Sequence, residues 1–437
     1  MTRREPLMIR QKRLPAAMLA VAVAAALGAC GRTGDDPTGG APTAAPAVSD
    51  GPATGDIRVW AMGTEGEKLP EIAQTFNAAN PGANVTITAV PWDDAPTKIS
   101  TAIASGETPD ATLINPSALA SFVATGGFAP VPSGLVADSA FDAGALQATK
   151  VNGTSYSVPL YVDTRTLFYR KDLAAKAGVE APKTWDEFTT FAKGLQEAGA
   201  GQGLLLPTGE LGFTEQTLIP FLWQAGAELT DAGLTKFTVD TPEVVAGLEK
   251  YRSFFVDGVA SQTGTYEPWG SVEQRLVDGK IGAAINGPWL VPALKELLGA
   301  EYSAKIGVAA LPAGPKNAKS WLDGGQLAVF KDAKNPDGAW KFIRYLSQPE
   351  QAAAFSRATG DLPAVTAAWE PAGLTTDPTT AVFSEQLTAT GTPPAVATWN
   401  QIATVFARYG ERVARGVVEP AEAAKQMQSE LSGIGLE

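Results

Sequence analysis

The chain has 437 residues, with 34 Lys and Arg against 46 Asp and Glu, a net charge of −12, no His and one Cys. A length of this order favours two lobes, and 45% hydrophobic with 18% charged residues excludes a disordered chain. The acidic balance argues against a nucleic-acid partner, the missing His removes histidine triads and the common zinc sites, and a lone Cys forms no internal disulfide, CxxC pair or thiolate cluster.

Arg3, Arg4, Arg10, Lys12 and Arg13 open the chain against one acid, Glu5. Residues 16–27 follow as an uncharged apolar run, long enough for a signal-peptide core and too short to span a bilayer. It ends in Leu27-Gly28-Ala29-Cys30, which resembles the bacterial lipobox. That resemblance implies a lipoprotein signal peptide over 1–29 and a lipidated Cys30 as the first mature residue. An ordinary secretory signal with an incidental Cys is the alternative, and Arg3-Arg4 lacks the rest of a twin-arginine motif. Removing 1–29 takes away five positive charges and one negative, leaving 29 against 45, a net of −16. Residues 30–55 are dominated by Gly, Pro, Thr, Ala, Ser and Asp and read as a flexible, lipid-anchored linker.

The pattern then predicts a strand over 57–61, a loop over 62–67 and a helix over 68–80. Leu69, Ile72, Ala73, Phe76 and Ala79 set its spacing, and Pro81-Gly82 stops it. A β-branched strand over 84–90, a helix over 95–104 closed by Ser105-Gly106 and a short apolar strand over 111–114 follow. This β-α-β-α-β order predicts a parallel sheet covered on both faces. Ligands sit beyond the carboxyl ends of such strands, so the loops at 62–67, 91–94 and 115–117 matter most. Further on come strands near 157–163, 166–170, 281–286 and 327–330. A capping box at Thr184 and Glu187 opens a helix, and helices cover 243–255 and 337–346.

Several segments in this order resemble one family, the extracellular sugar-binding proteins of bacterial ABC importers, of the maltose-binding-protein-like group. They are Trp60 with Gly63-Thr64-Glu65; 106–110; 158–163 with 168–173; 182–188; 278–283; 285–289; Gly324-Gly325; and Thr359-Gly360-Asp361-Leu362-Pro363. The resemblance implies an α/β, periplasmic-binding-protein type II-like fold: two discontinuous lobes around a ligand cleft and hinge. Residues 56–161 and 312–361 would form the N-terminal lobe, and 162–311 and 362–437 the C-terminal lobe. Crossings would fall near 161–164, 309–312 and 359–364. The partners implied are a carbohydrate, the permease subunits with their separate ATPase, and the membrane through the lipid anchor. A monomer is expected, with no cofactor and no metal. The chain carries no Gly-x-x-x-x-Gly-Lys-Ser/Thr loop for ATP.

A pyranose offers an apolar C–H face and a rim of hydroxyls, so it needs an aromatic ring and planar polar side chains. Trp289, beside Gly287-Pro288 at a strand end, is the first candidate for stacking, and similar proteins place a Trp there. Trp269, near Tyr266 and Glu267, and Trp92 with Asp93 are further candidates, with packing as the alternative for each. Trp185 and Trp340 read as core, and Trp399 is left open. Trp321 precedes Gly324 and Gly325, where small residues let backbone amides approach a hydroxyl. Thr64 and Glu65 follow strand one, and Asn115 follows strand three. By the family pattern Tyr161 and Asp163 lie at the first crossing, and Arg357 precedes the third. Asp110 reads as a turn residue, and Glu215 beside Phe213 is a weaker candidate.

Two rivals stand beside this reading. A secreted glycosidase would need two carboxylates about 5 or 6.5–9.5 Å apart, and no acid here stands in a recognised hydrolase motif. A binding protein for another solute is the second. No phosphate loop is evident, while a polyamine would find acids in Glu65, Asp93 and Asp163.

Overall fold

The computed structural model describes residues 47–262 and 271–436. Its strands are β1 (Gly55–Met62), β2 (Ala83–Val90), β3 (Ala111–Ile114), β4 (Lys150–Val151), β5 (Thr154–Ser155), β6 (Val158–Thr164), β7 (Thr166–Arg170), β8 (Ala283–Asn286), β9 (Ile306–Ala309), β10 (Ser320–Val329), β11 (Leu362–Pro363) and β12 (Thr390–Gly391). β1 alternates, turning Ile57, Val59 and Ala61 inward. It pairs in parallel with β2 from Gly55–Ala83 to Met62–Val90. The helix Gly63–Ala79 makes the crossover and buries Leu69, Ile72, Ala73 and Phe76. β3 joins the other side of β1 in parallel.

The main sheet runs β11-β6-β10-β3-β1-β2, with β12 added against β10. β10 is antiparallel to both β3 and β6. Its residues and those of β3 and β6 are buried throughout, as expected of strands covered on both faces. A second sheet, β8-β7-β9, is antiparallel. Its apolar cluster includes Phe188, Leu218, Tyr251, Phe254, Phe406 and Met427. These come from the helices Trp185–Glu197, Thr214–Ala225, Pro242–Val256, Trp399–Ala414 and Pro420–Ile434. The chain passes from the first sheet to the second between β6 and β7, with Arg165 as the single connecting residue. The mixed α/β arrangement is the two-lobed, type II binding-protein fold expected from the sequence.

Local signals hold in several places. The Thr184–Glu187 capping box forms, and Gly106 closes the helix Ala95–Ser105 in the left-handed region. Asp110 is structural, but through long-range bonds rather than a local turn: its carboxylate accepts from the backbone N–H of Arg58 at 2.7 Å and of Asn335 at 2.8 Å.

Two expectations change. The first helix starts at Gly63, not near 68, so the predicted loop is its opening turn. Pro70 lies inside this helix, although proline usually marks the first turn. Gly66 explains the early start: a Cβ there would stand 2.9 Å from the Ala89 Cα, so only glycine packs so close to the sheet. The linker expected as far as residue 55 is fastened at its end. Ser49 donates its backbone N–H and hydroxyl to the Asp337 carboxylate (2.7 and 2.8 Å), Lys341 donates to Ser49 Oγ (2.8 Å), and the Ala53 N–H meets Asn80 Oδ1 (2.9 Å). β9 ends in the second sheet at Ala309, and β10 starts in the main sheet at Ser320. Trp321 packs in the second cluster, while Leu327 to Phe330 pack in the first, so β10 serves both cores.

Candidate ligand-binding site

β1 ends at Met62, and the helix it feeds places Glu65 in its first turn. The positive end of the helix dipole favours an acid there. Gly63, at φ +50°, lets the Trp92 indole lie against the backbone; a Cβ would stand 2.9 Å from its Cδ1. Trp92 opens the short turn Trp92–Asp94 after β2 and is half-buried. Glu65 is buried, and the Tyr161 hydroxyl donates to its carboxylate at 2.6 Å. Burial pushes the Glu65 carboxyl up to about 7, against the lowering effect of the bonds from Tyr161 and Trp92.

Tyr161 lies in β6, stacked on Phe355 at 6.0 Å and 28°. Burial raises its hydroxyl, helped by the negative charges of Glu65, Asp361 and Asp163. Its position depends on the facing strand. Gly324, at φ +145°, and Gly325 stand opposite Val162 and Tyr161 in β10. A Cβ on Gly325 would overlap the Tyr161 ring, and one on Gly324 would overlap the Tyr161 carbonyl. The glycines expected to admit a ligand hydroxyl therefore admit a tyrosine.

Asp163, two residues along β6, is buried and paired with Arg165. Burial raises its carboxyl, and the Arg165 guanidinium opposes that. Arg165 lies 3.6 Å from Asp323, donates to Gln216 Oε1, and stacks over the Trp289 ring at 4.7 Å. Gln216 in turn donates to Asp323 at 3.1 Å. Asp323 is pushed up to about 7, first by burial and then by Asp163. Asp361, just before β11, is raised well above the carboxylate range by burial and by the charges of Glu65 and Asp163. Glu215 accepts two bonds from the Gly212 N–H (2.9 and 3.0 Å), yet burial takes it to about 8.

Trp289 follows β8, half-buried, with the six-membered part of its ring against Gly287. Asn286 fixes this turn by accepting the Gly287 N–H at 2.8 Å. Asn115, after β3, is half-buried; its Oδ1 is shielded from solvent and meets no donor among the described residues. An acceptor left so is a place for a ligand donor. Among the described residues no group of three His, Cys, Asp or Glu is arranged to hold a metal.

The sequence-derived candidates therefore divide. Glu65, Trp92, Tyr161 and Asp163 join one network with Asp361, while Arg165 links Trp289 to Asp163 and Asp323. Thr64 and Asp93 border it as exposed side chains. Arg357 stands apart: it is exposed on the helix Pro349–Thr359 and donates to the Pro371 carbonyl at 2.8 Å. Trp321 lies in the core between Trp223 and Trp399, which also places Trp399. Trp269 and Cys30 lie outside the described residues. Arg165, Gln216, Asp323 and Asp361 were missed. Asp361 and Asp323 carried a signal, since each adjoins a quoted segment: Thr359-Gly360 for one, Gly324-Gly325 for the other.

Two sheets with aromatic and buried polar groups near their strand ends suit the binding of a solute. The family model for bacterial extracellular solute-binding proteins matches residues 71–382, and this chain belongs to that family. Its relatives include the diacetylchitobiose binding protein DasA of Streptomyces coelicolor, 26% identical across 97% of this chain and 98% of DasA. Among solved structures, the GacH receptor of Streptomyces glaucescens, studied unliganded and with acarbose, superposes with a TM-score of 0.79 at 25% identity, over 87% of this chain and 98% of that one. The sugar-binding protein MalE of Xanthomonas citri gives 0.77 at 28%, over 87% and 97%. These relatives are binding proteins, with sugar and oligosaccharide binders of ABC transporters among them. No described helix is long and apolar enough to cross a membrane.

Proposed function

We propose that this protein is an extracytoplasmic, carbohydrate-binding lipoprotein that hands a di- or oligosaccharide to the permease of an ABC importer, without transforming it. One observation carries the reading: two half-buried indoles, Trp92 and Trp289, each lie against a glycine at a strand end, beside the buried planar groups Glu65, Tyr161 and Asp163. An indole supplies the apolar face that a pyranose needs, and carboxyl and hydroxyl groups match its rim. Thr64, Asp93 and Asn115 would complete the rim, and Trp269 would add a further ring. The relatives named for diacetylchitobiose, for acarbose and for sugar support the same class. Two lobes, 56–161 with 312–361 and 162–311 with 362–437, would close on the sugar by hinging, with β10 running through the junction.

A thermal-shift panel of mono-, di- and oligosaccharides tests this, because a ligand bound only by the folded state raises the Tm. No shift with any sugar sinks the reading. Disaccharide cleavage at substoichiometric protein would show a glycosidase instead. For the anchor, Cys30→Ala should move the protein out of the membrane fraction; retention there would count against lipidation. A polyamine is the second reading, favoured by four buried carboxyls, Glu65, Asp163, Asp323 and Asp361. Spermidine in the same panel decides between them.

A further inference from the structure

Arg165 is the residue where β6 becomes β7, so its backbone belongs to the passage between the two sheets. Its carbonyl accepts the Ser320 hydroxyl at 2.7 Å, which fastens the passage to the first residue of β10. Its side chain is buried and reaches outward from there. The guanidinium bonds Asp163 on β6 and Gln216 on the helix Thr214–Ala225, stands 3.6 Å from Asp323 on β10, and covers the ring of Trp289 after β8 at 4.7 Å. One planar cation thus joins the strands of the crossing to an indole on the second sheet. Arginine suits this: it stays charged, offers several donors in one plane, and stacks its flat face on aromatic rings. Lysine matches the charge but neither the plane nor the fork.

We propose that Arg165 is a positioning residue for the binding platform: it fixes the tilt of the Trp289 ring and ties that tilt to the sheet-to-sheet crossing. The Trp289 ring lies against Gly287 as well, so backbone and guanidinium together set the orientation a sugar face would meet. A role confined to neutralising Asp163 and Asp323 would leave Trp289 indifferent to an Arg165→Lys exchange. A positioning role would not. The assignment rests on the reading of Trp289 as a sugar contact, and its first test needs no sugar.

The full chain is compared as wild type, Arg165→Lys and Gln216→Met, each with and without Trp289→Phe, so that the difference isolates the Trp289 emission. Acrylamide quenching of that component should rise about twofold in Arg165→Lys, with a red shift, and less in Gln216→Met. Unchanged quenching and emission in both variants overturns the proposal. If Arg165→Lys does not fold, Gln216→Met decides alone, because it removes one bond holding the guanidinium. The second arm uses maltotriose and calorimetry. Arg165→Lys should raise Kd about tenfold in wild type and leave it unchanged in a Trp289→Ala background, since a residue that acts through another adds nothing once that other is gone. Losses that multiply overturn the proposal. A wild type that ignores maltotriose and every other sugar of the panel defeats the sugar reading instead, while the quenching result still decides the Arg165–Trp289 assignment.

Discussion

Trp321 and Trp289 are the same side chain in opposite settings. Trp321 is 1% exposed, stacked on Trp223 at 5.6 Å and 19°, with Trp399 at 6.0 Å on its flank. Its neighbours are apolar rings, and its contribution is burial. Trp289 is half-buried, held between a glycine and a guanidinium, with carboxyls behind. It belongs to neither apolar cluster, so its exposed part is better explained by a ligand than by the core. The difference teaches that the surroundings of an aromatic ring, not the ring, decide whether it stabilises the fold or recognises a solute.

The contrast can be broken most forcefully in the core. Trp321→Ala should cost about 3–5 kcal/mol of stability, read by denaturant unfolding; a loss below about 1 kcal/mol would remove the distinction. Gly325→Ala should cost about 1–3 kcal/mol through overpacking against the Tyr161 ring, and a Tm equal to wild type would show that Tyr161 moves freely. Trp289→Ala should leave stability within about 1 kcal/mol and raise the sugar Kd at least tenfold, about 1.4 kcal/mol. Unchanged affinity by calorimetry refutes the stacking role.

The site also has its own pH dependence. Glu65 and Asp323 both hold their protons in the folded state up to about pH 7, while unfolded carboxyls release theirs near pH 4. Between those values the folded state binds more protons, so their contribution to stability falls as pH rises and is fully present only below the unfolded values. The Tm of wild type relative to Glu65→Gln should therefore decline from pH 5 to pH 7.5; a flat difference contradicts this. The smallest effect belongs to the fastened linker. Lys341→Met should cost at most about 1 kcal/mol, because its partner Asp337 is 42% exposed.

The site was legible where chemistry followed a strand in sequence. Glu65 after β1, Trp92 after β2 and Trp289 after β8 could be named because strand ends are visible as hydrophobic runs closed by turn residues, while Asp163 was named from the family resemblance, which also supported Trp289. Arg165 and Gln216 could not, since they meet across 51 residues, and Gln216 meets Asp323 across 107. Arg357 fails for a related reason: its helix was visible, but the face it occupies follows from how that helix packs. The start of the first helix was placed late because Gly66 against the sheet is a tertiary contact.

The amino-acid sequence alone determined the order of the first strands and helices, the capping box and the family resemblance. The first two rest on neighbours within a few residues or on a repeated period, and the resemblance on the order of short segments along the chain. Only the tertiary structure decided that β10 is shared by two cores, that Gly325 makes room for Tyr161, and that one arginine stands between Asp163, Asp323 and Trp289. Burial and electrostatic pairing depend on distances through space, and residues far apart in the chain acquire those distances only when the sheets close on one another.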